Sequence, residues 1–106
     1  MALTPKTFVR KALGSTNGQI VATVPAGKRW VLTSLLLSNF RTGIDSASLN
    51  FVCLDDVYVL HDLKLSPGGV FTLDCAQVLE AGQSIQAWAD GNYGAALHAC
   101  GVEMDA

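Results

Sequence analysis

Val24-Pro25-Ala26-Gly27-Lys28-Arg29-Trp30-Val31-Leu32-Thr33-Ser34-Leu35-Leu36-Leu37-Ser38-Asn39 is a tight turn followed by the longest strand-like run of the chain. Pro25 restricts φ, and Gly27 supplies the positive φ that a type II turn requires. Strict alternation then puts Trp30, Leu32, Ser34, Leu36 and Ser38 on one face and Val31, Thr33, Leu35 and Leu37 on the other. Neither face is polar throughout. Such a strand is expected to be covered on both sides, or to lie with one side against a partner chain. Three consecutive leucines also suit a helix, but the Pro-Ala-Gly start, the β-branched Val31 and Thr33 and the Asn39 stop favour a strand. Leu35 and Leu37 are expected in the core.

Working outward, the same device recurs twice. Ser66-Pro67-Gly68-Gly69-Val70 and Glu80-Ala81-Gly82-Gln83-Ser84 are also small-residue turns with Gly that lead into apolar runs. The echo is too irregular for a solenoid or propeller and fits the corners of one sandwich. Between these corners, Phe8–Leu13, Gln19–Val24, Ala47–Leu54, Val57–Leu60, Val70–Cys75, Ile85–Ala89 and Ala95–Glu103 read as short strands. Asn17-Gly18 carries a hairpin signal, Asp55-Asp56 marks a turn, and loops are expected over Arg41–Ser46 and Asp90–Gly94. About eight strands at roughly 8–12-residue spacing predict an all-β protein, an antiparallel β-sandwich of jelly-roll-like type. The Cys–Trp–Cys framework of an immunoglobulin domain is missing. Residues 1–7 have no periodicity and read as an arm, so the expected organisation is an N-terminal arm and edge strand over 1–13 and a sandwich domain over 14–106.

With 106 residues, the chain suits a single domain. Seven basic and nine acidic side chains leave a net charge of −2, without the basic excess that marks nucleic-acid binders. No run approaches the roughly 20 apolar residues of a membrane helix, and Met1–Lys6 has no signal-peptide core. The expectation is therefore a chain made in the cytosol, with neither nucleic acid nor membrane as partner. Half of the residues are apolar and only 15 % are charged, an excess that a subunit interface would absorb. Cys53, Cys75 and Cys100 are odd in number and match no zinc spacing, so they read as small buried hydrophobes.

Residues able to do chemistry are sparse. His61 and His98 are the two histidines, and a cupin-type metal site would need them clustered with carboxylates. No nucleophile motif is present, and no metal or other cofactor is expected. Asp55, Asp56 and Asp62 suit turn and strand-capping roles; a paired-acid or calcium site is the other reading, but the alternating oxygen ligands of a calcium loop are missing. Trp88 with Tyr93 is the best candidate pair for a sugar platform, against core or interface packing. Gly68-Gly69 precedes no helix and so makes no phosphate loop. Lys6, Arg10 and Lys11 gather three basic residues within six positions. They read either as charges guarding an edge strand or as a basic segment docking on an acidic neighbour. The candidate partner-binding residues are accordingly Lys6, Phe8, Val9, Arg10 and Lys11, with Asp55 and Asp56 as the acidic counterpart on a second copy.

The assembled pattern resembles small virion structural proteins of tailed bacteriophages. The resemblance rests on Val24–Lys28, Trp30–Asn39, Ala47–Leu60, Pro67–Gly69, Val70–Leu79, Ala81–Gln83, Ile85–Ala89 and Gly101–Glu103. It covers about residues 20–103 and consists of turn and strand motifs. It implies a β-sandwich without catalytic residues, acting as a capsid decoration (cement) protein on the phage head. The implied partners are the major capsid protein and further copies of the chain, as a dimer or trimer. The implied location is the capsid surface of the virion, after synthesis in the bacterial host cytoplasm. A small tail, neck or fibre component is the first alternative, and a carbohydrate-binding sandwich the second.

Overall fold

The computed structural model describes residues 3–40, 47–90 and 94–106. Eight strands follow one another: β1 (Leu3–Ala12), β2 (Ile20–Thr23), β3 (Lys28–Asn39), β4 (Ser48–Leu54), β5 (Val57–Leu65), β6 (Val70–Leu79), β7 (Ser84–Ala89) and β8 (Ala95–Asp105). They form two four-stranded antiparallel sheets, ordered β1-β8-β3-β6 and β2-β7-β4-β5. The first strand pairs with the last, the second with the seventh, the third with the sixth and the fourth with the fifth. This is a long hairpin rolled on itself, the jelly-roll arrangement.

The strand count is as expected, but several boundaries move. The arm expected over residues 1–7 is corrected from Leu3 onward: Leu3 to Thr7 belong to β1, paired along its length with β8. Their weak periodicity hid this because Pro5 and Lys6 are tolerated on an outer edge. β5 runs on through Leu65 and β6 through Leu79, past the strand ends expected at Leu60 and Cys75. The expected loop over Arg41–Ser46 and the centre of the Asp90–Gly94 loop lie outside the described residues.

The mixed character of the Trp30–Asn39 run has a local cause. In β3, Leu32 lies opposite Gly101 and Ser34 opposite Cys100, which leaves Thr33 as an extra residue. Such a bulge shifts the alternation by one. Trp30 and Leu32 point inward before it, and Leu35, Leu37 and Asn39 after it. The strand is thus buried on one side only, and the expected cover on both faces is not needed. β1 slips in the same region, with Phe8 extra between Thr7 and Val9. β6 sets Cys75 and Ala76 against the single Thr33.

Gly101 sits at this slip. A Cβ there would lie 1.9 Å from the Val31 carbonyl oxygen and 2.9 Å from the Phe8 ring. The core is aliphatic, with Leu13, Leu32, Leu35, Leu37, Ile85 and Leu97 fully buried. A side-chain hydrogen bond joins the two sheets in the interior: Asn39 Nδ2 of β3 donates to the Leu65 carbonyl of β5 at 2.9 Å. Asn50 likewise donates to Ser48 Oγ and the Leu63 carbonyl, at 2.9 and 3.0 Å. The Leu63 and Leu65 carbonyls of edge strand β5 thereby each accept from a side-chain amide.

The three corner turns share one geometry. Lys28 N–H donates to Pro25, Gly69 to Ser66 and Gln83 to Glu80. The third residue of each turn is Gly27, Gly68 or Gly82, with φ between 76 and 86°. Asp55 and Asp56 form the two-residue β4–β5 hairpin, both at positive φ, as a type I′ turn requires.

Two outcomes are expected. Gly101→Ala lowers stability by about 2 kcal/mol or more in urea denaturation, because the new methyl meets backbone that cannot retreat. Removal of residues 1–12 abolishes the cooperative melt and the near-ultraviolet tryptophan signal. It strips Val9 from the core and bares one edge of β8, which is left paired with β3 alone.

Candidate interaction surface

Five of the candidate partner-binding residues lie on β1, and the structure divides them. Val9 is 4 % exposed and belongs to the core. Phe8 is half-buried and stacked on Trp30, with ring centroids 4.3 Å apart. The extra residue in β1 turns these two neighbours inward together, so their expected place at a partner contact is corrected. Lys6 is engaged too: its Nζ lies 2.9 Å from Glu103 Oε2 and 5.8 Å from the Trp30 ring centre. Trp30 Nε1 donates to the same carboxylate oxygen at 2.8 Å. Of the five, Arg10 and Lys11 remain exposed and make no ion pair with any described residue.

Asp55 and Asp56 sit at the β4–β5 hairpin and also serve the chain. Asp55 accepts from Gln83 Nε2 at 3.2 Å. Asp56 accepts from Gln86 Nε2, and its N–H donates to Gln86 Oε1 at 3.1 Å. The hairpin is thereby fastened to β7. Both carboxylates stay exposed and without a basic partner among the described residues. Asp62, at φ 54° in a bulge of β5, pairs with His61 at 3.3 Å.

The two histidines do not meet. His98 pairs across the first sheet with Arg10 and Leu36, on its outer face. His61 lies on the outer face of the second sheet, its ring against Phe51 and Tyr58. No group of three or more His, Cys, Asp or Glu among the described residues is placed to hold a metal ion. Trp88 is 7 % exposed, with Phe51 stacked on it at 5.2 Å and Tyr58 edge-on at 5.9 Å. A covered indole offers no open face to a sugar ring, and Tyr93, its expected companion, lies outside the described residues. Cys53 is buried, whereas Cys75 and Cys100 are only half-buried, and all three thiols are free. Burial, and to a lesser degree the nearby Asp56 and Asp74, push the Cys53 and Cys75 thiols up.

The surface with a character of its own is the pair of lateral openings where sheet edges face each other. On one side β5 and β6 leave a groove of about 560 Å³, lined by Leu54, Asp55, Val57, Tyr58, Val59, Gln77, Val78, Leu79 and Gln83. Val57, Tyr58, Val59, Val70 and Val78 on these two strands are 36–68 % exposed. On the other side a cleft of about 290 Å³ opens between β1 and the start of β2, with Lys11, Ser15, Gln19 and Val21 in its wall. Leu3 and Ile20 are exposed along that edge, and Phe40 alone among the described exposed large apolar residues lies on neither. Alternation could not reveal this edge, because Val57, Tyr58 and Val59 are exposed consecutively. No family model matches the chain, and no curated protein or solved structure matches it either.

The Trp30 indole N–H and the Lys6 ammonium hold the Glu103 carboxyl below the usual carboxylate range. A depressed carboxylate stabilises the fold above its unfolded pKa, about 4.3 for Glu, and loses that contribution as pH falls through its lower folded value. Glu103→Gln is therefore expected to be less stable than the parent at neutral pH, with a gap that narrows in acid. Urea melts followed by tryptophan fluorescence across that range measure it; a gap independent of pH would contradict the role given to the ionised carboxylate.

Proposed function

We propose that this chain is a structural virion protein, a decoration protein that binds and reinforces a phage head. The observation that carries the reading is where its exposed apolar surface falls. Large apolar side chains gather on strand edges, beside exposed acids on one side and bases on the other. An edge of this kind is chemistry for protein contact, since unpaired backbone groups and apolar side chains together template association. The jelly roll recurs in viral capsids and in lectins, which makes it support by analogy alone. The covered Trp88 leaves the lectin-like alternative without its platform. Repeated over a symmetric shell, weak edge contacts add through avidity.

Quantitative mass spectrometry of purified particles tests the proposal. The expected result is a copy number in simple proportion to the major capsid protein. A count of a few to a dozen would move the protein to the tail or neck, and its absence from particles would overturn the virion reading.

A further inference from the structure

We propose that copies of this chain associate side by side and head to tail, the β5–β6 edge of one copy seated on the β1–β2 edge of the next. The inference rests on reading the strand edges as contact surfaces, but not on the presence of a shell.

Charge is the first argument. Lys28 and Arg29 are paired with Asp105 and Glu80, and Lys6 with Glu103. The basic side chains left without an ion pair among the described residues are Arg10 and Lys11 on β1, and Lys64 near the far end of β5. On the opposite side, Asp55, Asp56 and Asp74 have no basic partner among the described residues. Unneutralised charge is thus basic on β1, and on the β5–β6 side three acids outnumber the single base Lys64, so the two lateral edges of one molecule carry opposite net sign. Joining two β5–β6 edges would bring like charges together, whereas joining unlike edges neutralises both.

Register is the second argument. β1 runs antiparallel to β6, and β2 antiparallel to β5, as the chain of pairings requires. Two copies in the same orientation therefore continue both sheets with antiparallel neighbours. Pro5, Val102, Val31 and Val78 form one row across the first sheet. Extending that row sets Val78 beside Pro5 of the next copy. In the second sheet, Ile20, Gln86, Cys53 and Tyr58 form a row whose two ends are the exposed ones. Its extension sets Tyr58 beside Ile20 of the next copy. Thr72 would likewise meet Arg10, with Asp74 on the diagonal, within reach of an ion pair. Pro5 and the Phe8 bulge interrupt the backbone edge of β1, so side chains carry much of the contact. Such a heterologous contact closes into a ring where the rotation between copies allows it.

Two surface variants and their mixture test this. Arg10→Glu with Lys11→Glu alters one edge; Tyr58→Glu with Val78→Glu alters the other. All four positions are exposed, and the fluorescence of Trp30 and Trp88 verifies that each variant folds. By native mass spectrometry and sedimentation velocity at high micromolar concentration, the parent is expected to form species of at least three copies of the 11.2 kDa chain. Each variant alone is expected to be monomeric. Mixed in equal amounts, the two retain one sound edge of each kind and are expected to stop at a dimer. A monomeric parent overturns the proposal while leaving the particle count above unaffected. A β1 variant that associates like the parent also overturns it, because the contact would then join like edges. Should the double Tyr58 and Val78 variant fail to fold, Val57→Glu, at the most exposed of these positions, makes the same test.

Discussion

An extra residue in each of the two strands that flank β8, Phe8 in β1 and Thr33 in β3, decides which side chains this sandwich buries. β8 runs between them without a slip, and its Ala95, Leu97 and Ala99 are buried in strict alternation. Its neighbours change phase around it. The change lets Trp30 and Leu32 share an interior with Leu35 and Leu37, which a uniform strand of the same sequence would split between two faces. It also brings Phe8 over the Trp30 ring, and the absence of a Cβ at Gly101 makes room for both strands. Glu103 closes the arrangement from the side, accepting from the indole and from Lys6. The aromatic stack contributes about 0.5–1.5 kcal/mol beyond its burial. Its greater consequence is to join the N-terminal strand to the centre of the sheet.

A sandwich, unlike a closed barrel, leaves edges that must be guarded or used. This chain treats its two sides differently. β1 carries Pro5, a bulge and three basic side chains, common means of discouraging strand-to-strand association between identical edges. β6 has one charge, Asp74, and no proline, while β5 exposes three consecutive apolar residues at its start. The asymmetry gives the molecule a polarity across its width. That polarity, rather than a pocket, is the feature from which an assembling role follows.

The aspartates illustrate how a structural need can imitate a functional one. Asp55, Asp56 and Asp62 occupy positive φ, where Asp and Asn are tolerated better than other residues with a side chain. Two of them also fasten their hairpin to Gln83 and Gln86. Turn geometry therefore accounts for three acids lying so close in sequence. Their remaining charge is left at the surface, beside the apolar start of β5.

Short alternating runs separated by glycine, proline and aspartate turns were enough to specify eight strands, their approximate places and an all-β class. The reason is local: turn residues and period-two patterning act within a few positions. The three corner turns were legible in the same way, since positive φ at Gly27, Gly68 and Gly82 is a property of glycine itself. The extent of β1, the direction of Phe8 and Val9 and the employment of Lys6 were not legible. Each depends on β8, more than eighty residues distant in sequence and adjacent only after folding. The phase change at Thr33 was hidden for the same reason, because a bulge exists only relative to a partner strand. The opposed character of the two lateral edges likewise belongs to the tertiary structure, since strand order alone brings β5 beside β6 and carries β1 and β2 to the other side.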